Sequence, residues 1–269
     1  MAVMGPLRFD RRAFSPAAVA AAKGGRTVSV CLPARDEAAT VGTIAARIAA
    51  LDVVDEVLVV DDGSTDATGE TASAAGAMVV TSRNGAGQQA GKGGALWTAV
   101  GAARGDVLVF CDADLVDFDP SFVTGLLGPV LTDERVAFAK GTYARPGDGG
   151  RVTELVARPL ISLLFPHLAG FGQPLGGELA AHRWVLEAVP FVAGYGVDIA
   201  LLVDVAALVG LEAMAEVDLG ERRHRNRPLS ELRPQAQEVM AAAFSRAGVG
   251  GPVPEHPPRG ARRDERAGR

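Results

Sequence analysis

Asp112 and Asp114 are two carboxylates spaced for work on a phosphate-bearing ligand. They follow the apolar run Val107, Leu108, Val109, Phe110, and only Ala113 separates them. In extended backbone the i, i+2 spacing turns both side chains to one face. Two acids placed so repel each other unless a cation lies between or beside them, and a hard divalent ion carrying a phosphate relieves that repulsion. Read in isolation, the same three residues also describe a strand end with solvated acids. Two more polar clusters follow apolar runs in the same way: Pro33, Ala34, Arg35, Asp36 and Glu37, and then Asp61, Asp62, Gly63 and Ser64. Each alone also fits a helix start or a capped turn. Three such clusters at three strand ends within half a chain point to one shared site.

Other residues suit the same chemistry. Lys92 lies between Gly91 and Gly93, where absent side chains let a base or diphosphate approach the backbone. The alternative is a surface lysine on a loop. Gly150, Arg151, Val152 and Thr153 set a cation and a hydroxyl at a helix start, whose N–H groups favour an anion; an ordinary capped helix fits them equally. Arg222, Arg223, His224, Arg225, Asn226 and Arg227 form the densest charged stretch. A histidine among four arginines stays neutral at neutral pH and remains available as a metal ligand, while the arginines suit diphosphate and acceptor anions. His167 and His182 read as local hydrogen-bonding groups.

These residues need a frame that brings strand ends together, and the first 115 residues supply it. Apolar β-rich runs at 27–32, 57–60, 78–80 and 107–110 alternate with helical patterns at 36–51, 64–75 and 97–103, with a glycine-rich loop at 85–94. Asp36 and Glu37 are expected to open the first helix, and Ser64 or Asp66 to cap the second. The pattern is that of a doubly wound, Rossmann-like α/β half, in which ligands bind beyond the carboxyl ends of the strands. The second half reads as a helix at 122–131, a strand at 136–143, helices at 152–164 and 180–189, an apolar helix from 194 to 208, a strand at 213–219 and a last helix at 230–246. Residues 1–26 read as a partly helical leader. Residues 27–246 read as one catalytic domain, divided into a nucleotide-binding half (27–115) and a smaller mixed α/β acceptor half (116–246). Residues 247–269, rich in Gly, Pro and Arg, read as a disordered tail.

Composition narrows the classes. Of 269 residues 48% are hydrophobic and 22% charged, enough for a sizeable core. A net charge of −5 gives no field for nucleic acid. No apolar run has the ~18 residues that a membrane span requires. Cys31 and Cys111 each sit in a strand-like apolar run and read as buried free thiols, which fits a cytoplasmic location. No Gly-x-Gly-x-x-Gly follows the first strand, so a dinucleotide oxidoreductase is disfavoured, and Gly91-Lys92-Gly93 is not a Walker A loop.

Several strings add a family. They are Leu-Pro-Ala-x-x-Glu at 32–37, Asp-x-Gly-Ser-Thr-Asp at 61–66, Gly-Lys-Gly at 91–93, and Gly-Arg-Val-Thr-Glu-Leu-Val-Ala-Arg-Pro at 150–159. Gln-Pro-Leu-x-Gly-Glu at 173–178, Gly-Tyr-Gly-Val at 194–197 and His-Arg-Asn-Arg-Pro-Leu at 224–229 complete them. On these the chain resembles, over 27–246, the glucosyl-3-phosphoglycerate synthases, retaining glycosyltransferases of the GT-A fold. The resemblance implies a UDP-glucose donor, a 3-phosphoglycerate acceptor, Mg²⁺ or Mn²⁺, and a homodimer. It also implies a donor site of Pro33, Ala34, Arg35, Asp36, Glu37, Ser64, Lys92, Asp112, Ala113, Tyr195, Gly196, Val197 and Asp198. By the same resemblance, Gly150, Arg151, Val152, Thr153 and Asn226 take the acceptor, and Asp114 and His224 hold the metal. Asp114, Arg151 and Asp198 are the catalytic candidates, Asp198 being the one candidate for a protein nucleophile.

Two departures stand out. Ala113 replaces the family's Ser and keeps only the backbone contact. Asp198 stands where the family has Glu, one methylene shorter, which leaves the donor open to GDP-mannose or GDP-glucose. Two other classes remain. A non-catalytic sugar-nucleotide-binding module is opposed by the presence of Asp114, His224 and Arg151. An inverting transferase acting on lipid or polysaccharide lacks an evident general base and membrane helices, although Arg259, Arg262, Arg263, Arg266 and Arg269 make the tail basic.

Overall fold

The computed structural model describes residues 5–82, 90–144, 150–222 and 229–260. In chain order the first half runs β1 (Leu7–Asp10), α1 (Pro16–Lys23), β2 (Val28–Ala34), α2 (Val41–Ala49), β3 (Glu56–Asp61), α3 (Thr68–Ala74), β4 (Met78–Thr81), α4 (Gly91–Ala102) and β5 (Val107–Phe110). The second half runs α5 (Ser121–Thr132), β6 (Phe138–Ala144), α6 (Arg158–Leu164), β7 (Leu179–His182), α7 (Arg183–Ala188), β8 (Phe191–Val192), α8 (Val197–Val209), β9 (Met214–Glu221), α9 (Leu229–Arg246) and β10 (Glu255–His256).

Eight strands form one sheet in the order β1-β9-β6-β7-β5-β2-β3-β4, parallel except for β7, which is antiparallel to both its neighbours. Period-two alternation makes two cores from one sheet. In β2, β3 and β5, Val28, Val30, Val57, Val59, Val107 and Val109 point to one face, where α1, α2 and α5 pack. Cys31, Leu58, Val60, Leu108 and Phe110 point to the other, covered by α4, α8 and α9. Full burial of each such side chain contributes roughly 1.5–3 kcal/mol. Because β5, β2 and β3 are adjacent, their carboxyl ends set the three polar clusters side by side, as the strand-end reading requires.

The structure corrects several expectations, each for a local reason. Residues 180–189 are not one helix: Leu179, Ala180 and Ala181 pair between β5 and β6, and tertiary pairing overrides the helix preference of alanine. The helix expected from Asp36 begins at Val41, because Asp36 has φ +55° and starts a turn. Ala67 stands just before α3, and Asp66 caps the helix from one position earlier, accepting from Thr68 N–H at 3.0 Å, while Ser64 Oγ accepts from Asp36 N–H. Within the segment expected to be regular helix, residues Thr153–Ala157 form a π turn, with Arg158 N–H reaching Thr153 O. Pro159, which has no N–H, follows immediately. The leader contributes β1, parallel to β9 at the sheet edge. Of the segment expected to be a disordered tail, residues 247–260 are described, and there β10 pairs with β8.

Candidate active site

β5 ends at Phe110, and the chain turns through Asp112, Ala113 and Asp114. The Ala113 carbonyl accepts from Thr40 Oγ1 at 2.6 Å, which anchors the turn to the start of α2. Both acids converge on Arg222, just beyond β9. Its Nη2 lies 2.7 Å from Asp112 Oδ2 and 3.4 Å from Asp114 Oδ1. The Arg222 side chain is 3% exposed, pairs also with buried Glu178, and lies over the Tyr143 ring. Burial opposes its charge, but Asp112 and Tyr143 outweigh burial and hold it cationic. Asp114 is raised above the ordinary carboxylate range by burial and by the neighbouring charge of Asp112. The cation that the paired acids call for is thus, within the protein, a guanidinium.

α4 carries Lys92 at its first turn rather than in a loop. Asp62 fixes that turn by accepting from Ala90 N–H at 2.8 Å and Gly91 N–H at 3.0 Å. Lys92 Nζ reaches Asp198 Oδ2 at 2.6 Å, with side-chain exposures of 20% and 7%. Burial opposes the Lys92 charge, but Asp198 and Asp112 together raise its pKa. The flanking glycines also have a packing use, and Gly91 lines the neighbouring cleft. A Cβ on Gly93 would collide with the Val192 carbonyl, and one on Gly91 would lie 3.3 Å from the Gly194 backbone. They let α4 touch the turn after β8, so backbone meets backbone there.

A cleft of ≈320 Å³ opens above these groups. Pro33, Ala34, Arg35, Glu37, Lys92, Asp112, Ala113, Asp114 and Tyr195, expected at a donor or metal site, all line it. Asp36 and Ser64 do not line it. They bind each other's loops: Ser64 Oγ accepts from Asp36 N–H at 3.0 Å, and Asp36 Oδ1 accepts from Thr65 N–H at 2.7 Å. Gly196, just before α8, and Val197 and Asp198 in its first turn are buried and also do not line it. Asp198 is therefore a buried ion-pair partner of Lys92, which argues against its use as a nucleophile.

Gly150 has φ +78° and starts the turn that continues through Arg151, Val152 and buried Thr153 into the π turn, which packs on α9. These four residues do not line the same cleft. His224 and Asn226 lie outside the described residues, as do Arg223, Arg225 and Arg227.

Four site groups escaped the sequence reading. Asp62 holds α4, although it stood inside a recognised cluster. Glu178 backs Arg222. Glu238 of α9 accepts from Tyr195 N–H at 2.6 Å. Lys140 is 2% exposed and donates to the Gly176 carbonyl at 2.7 Å; burial lowers its pKa to about 8. The signal for Lys140 was a single cation in a strand otherwise apolar up to that point. Its bond secures the loop before β7, where Gly177 lies so close that a Cβ would collide with the Asp112 carboxylate.

As to metal binding, Asp112 and Asp114 offer hard oxygen donors at a cleft, and the Asp114 side chain is 44% exposed. That donor set fits Mg²⁺ or Mn²⁺, ions that take one or two carboxylates and complete their shells with water and phosphate. No cluster of three or more potential ligands occurs among the described residues.

The model of glycosyl transferase family 2 matches residues 29–174. The glucosyl-3-phosphoglycerate synthase of Mycolicibacterium paratuberculosis is 48% identical over 258 residues, covering 90% of this chain and 78% of that protein. The crystal structure of the glucosyl-3-phosphoglycerate synthase of Mycobacterium tuberculosis, in complex with Mn²⁺, UDP-glucose and phosphoglyceric acid, superposes with a TM-score of 0.87 at 41% identity. It covers 96% of this chain and 99% of that one. The mannosyl-3-phosphoglycerate synthase of Rubrobacter xylanophilus superposes with a TM-score of 0.89 at 38% identity, covering 95% and 97%. The chain belongs to glycosyl transferase family 2 and, within it, to the glucosyl-3-phosphoglycerate synthases.

Proposed function

We propose that the chain transfers glucose from UDP-glucose to 3-phosphoglycerate with Mg²⁺ or Mn²⁺ on the donor diphosphate, giving glucosyl-3-phosphoglycerate. The observation that carries this reading is the cleft itself. Nine residues expected from sequence at the donor or metal site meet there, over a buried Lys92–Asp198 pair and beside Arg222. Pro33, Ala34, Arg35 and Glu37 bind the nucleoside, while Asp112 and Ala113 take the ribose and diphosphate. Asp114, with His224, holds the metal. Lys92 and Arg222 place fixed positive charge where the leaving diphosphate gains negative charge. The metal, when bound, supplies Lewis-acid stabilisation of that leaving group.

Arg151, Thr153, Gly150 and Asn226 bind the acceptor, with Arg151 supplying charge-assisted hydrogen bonds to phosphate or carboxylate. The sugar keeps its anomeric configuration, the leaving phosphate oxygen taking the acceptor proton on the same face. Asp198 is engaged by Lys92, and no protein nucleophile is needed. Buried free Cys31 and Cys111 suit a reducing cytoplasm, and no helix among the described residues is long and apolar enough to cross a membrane. Leu155 and Leu163 are 73% and 80% exposed beside α9, and such a face suits a homodimer.

A second reading has two observations in its favour. Asp198 is shorter than the family's Glu, and the Rubrobacter mannosyl enzyme superposes as well as the glucosyl one. A mannosyl donor is the alternative. The test is calorimetry of UDP binding with and without Mn²⁺. Metal-enhanced binding that Asp114→Ala removes supports the assignment; enhancement that survives in that variant overturns the metal role.

A further inference from the structure

The ordered tail holds both walls of the cleft. On one side β10 pairs with β8, Glu255 opposite Val192 and His256 opposite Phe191. Ala193 N–H then donates to the Pro254 carbonyl at 2.9 Å, one residue before Gly194. On the other side the tail grips α4 at Trp97. The indole N–H donates to the Pro257 carbonyl at 2.9 Å. The His256 ring stacks on the indole at 4.9 Å with a 21° tilt. The Arg259 guanidinium lies 3.6 Å from the indole centroid, and its Nε donates to the Trp97 carbonyl at 2.8 Å. Gly101 leaves the space that Arg259 fills, since a Cβ there would meet the guanidinium. Arg246, at the end of α9, binds Asp204 of α8 and Glu255 of the tail together.

Trp97 stands five residues after Lys92 on one helix, roughly 7.5 Å along its axis. Gly91 at the head of that helix and Gly194 in the opposite turn touch through bare backbone, and both line the cleft. A segment bonded to α4 and to the β8 turn therefore fixes the gap between the walls that carry Lys92 and Tyr195. We propose that residues 251–260 are a brace that positions Lys92 and Tyr195 for the sugar nucleotide. This rests on the donor-site reading above. The brace acts through other residues, so its effect falls on donor affinity and spares the acceptor.

The test compares the full chain with chains ending at Gly250 and at Gly260, in steady-state kinetics with UDP-glucose, 3-phosphoglycerate and Mn²⁺. The chain ending at Gly250 is expected to raise the UDP-glucose KM about tenfold while the 3-phosphoglycerate KM stays within about twofold, because small misplacement of a binding group is costly. The chain ending at Gly260 keeps the brace and is expected to match the full chain. The double variant His256→Ala, Arg259→Ala in the full chain is expected to move the donor KM the same way, and it decides the matter if the short chain does not fold. Donor and acceptor KM rising together, or neither moving in the double variant, overturns the brace. A full chain that does not turn over UDP-glucose refutes the functional reading and the brace with it.

Discussion

Removing the Lys92 ammonium should leave a buried carboxylate without its partner, and the cost can be worked out from the protonation of Asp198. Lys92→Met keeps the length of the side chain and deletes the charge. Breaking a buried pair by removing one partner costs about 3–5 kcal/mol. A ceiling exists, because Asp198 can instead take up a proton. Burial already raises Asp198 above its ordinary 3.8 with Lys92 in place, so protonation relative to wild type costs less than the roughly 4.4 kcal/mol at pH 7 and roughly 1.6 kcal/mol at pH 5 that 1.36 kcal/mol per unit gives from the ordinary value. Lys140 also acts on the same carboxylate, so the deficit falls below that ceiling. In the variant the folded Asp198 binds its proton more tightly than the unfolded chain does. Stability relative to wild type is therefore highest in acid and declines as pH rises through the already raised wild-type pKa of Asp198. Urea denaturation of both proteins at pH 5 and pH 7 reads the difference. A deficit below about 4 kcal/mol at pH 7 that shrinks at pH 5 is expected. Lys92→Met, Asp198→Asn should regain most of the loss. An equal deficit at both pH values, or a double variant no more stable than the single, refutes the pairing argument.

Arg151→Ala should raise the 3-phosphoglycerate KM roughly 10- to 100-fold, the effect of losing charge-assisted hydrogen bonds worth about 1.5–3 kcal/mol. The UDP-glucose KM should barely move, and equal rises in both would remove Arg151 from the acceptor site. Lys140 has a folded pKa of about 8 against an ordinary 10.5. Its charged form is therefore disfavoured by the fold at neutral pH, and wild-type stability relative to Lys140→Met should rise between pH 8 and 10.5, by up to about 3 kcal/mol. Parallel stability curves for the two proteins across that range would contradict the burial of that ammonium.

The sheet was readable from sequence wherever a strand was a continuous apolar, β-rich run. β2, β3, β4 and β5 were found, and their order places the clusters together. β7 was missed because its alanines carry no strand preference and its identity comes from neighbours on both sides. β1 and β10 were missed for a related reason: each pairs at the end of a segment whose local composition reads as leader or tail. In the site, nine residues facing the cleft were legible because their chemistry is exposed in short motifs, while Glu238, which also lines it, was not. Asp62, Lys140 and Glu178 were not, because they act on backbone or on Arg222 across long sequence separations. The glycines around Lys92 were recognised for close approach, and Gly91 does line the cleft. They admit the Val192–Gly194 backbone.

The central claim is a metal-dependent transfer of glucose to phosphoglycerate, and product analysis tests it most directly. The full chain is incubated with 3-phosphoglycerate and either UDP-glucose or GDP-mannose, with Mn²⁺ or with chelator, and the product is read by mass and by anomeric coupling in NMR. The account predicts a hexosyl phosphoglycerate of retained α configuration from UDP-glucose, formed with Mn²⁺ and absent with chelator. Inverted product, product only from GDP-mannose, or undiminished turnover in chelator would contradict it.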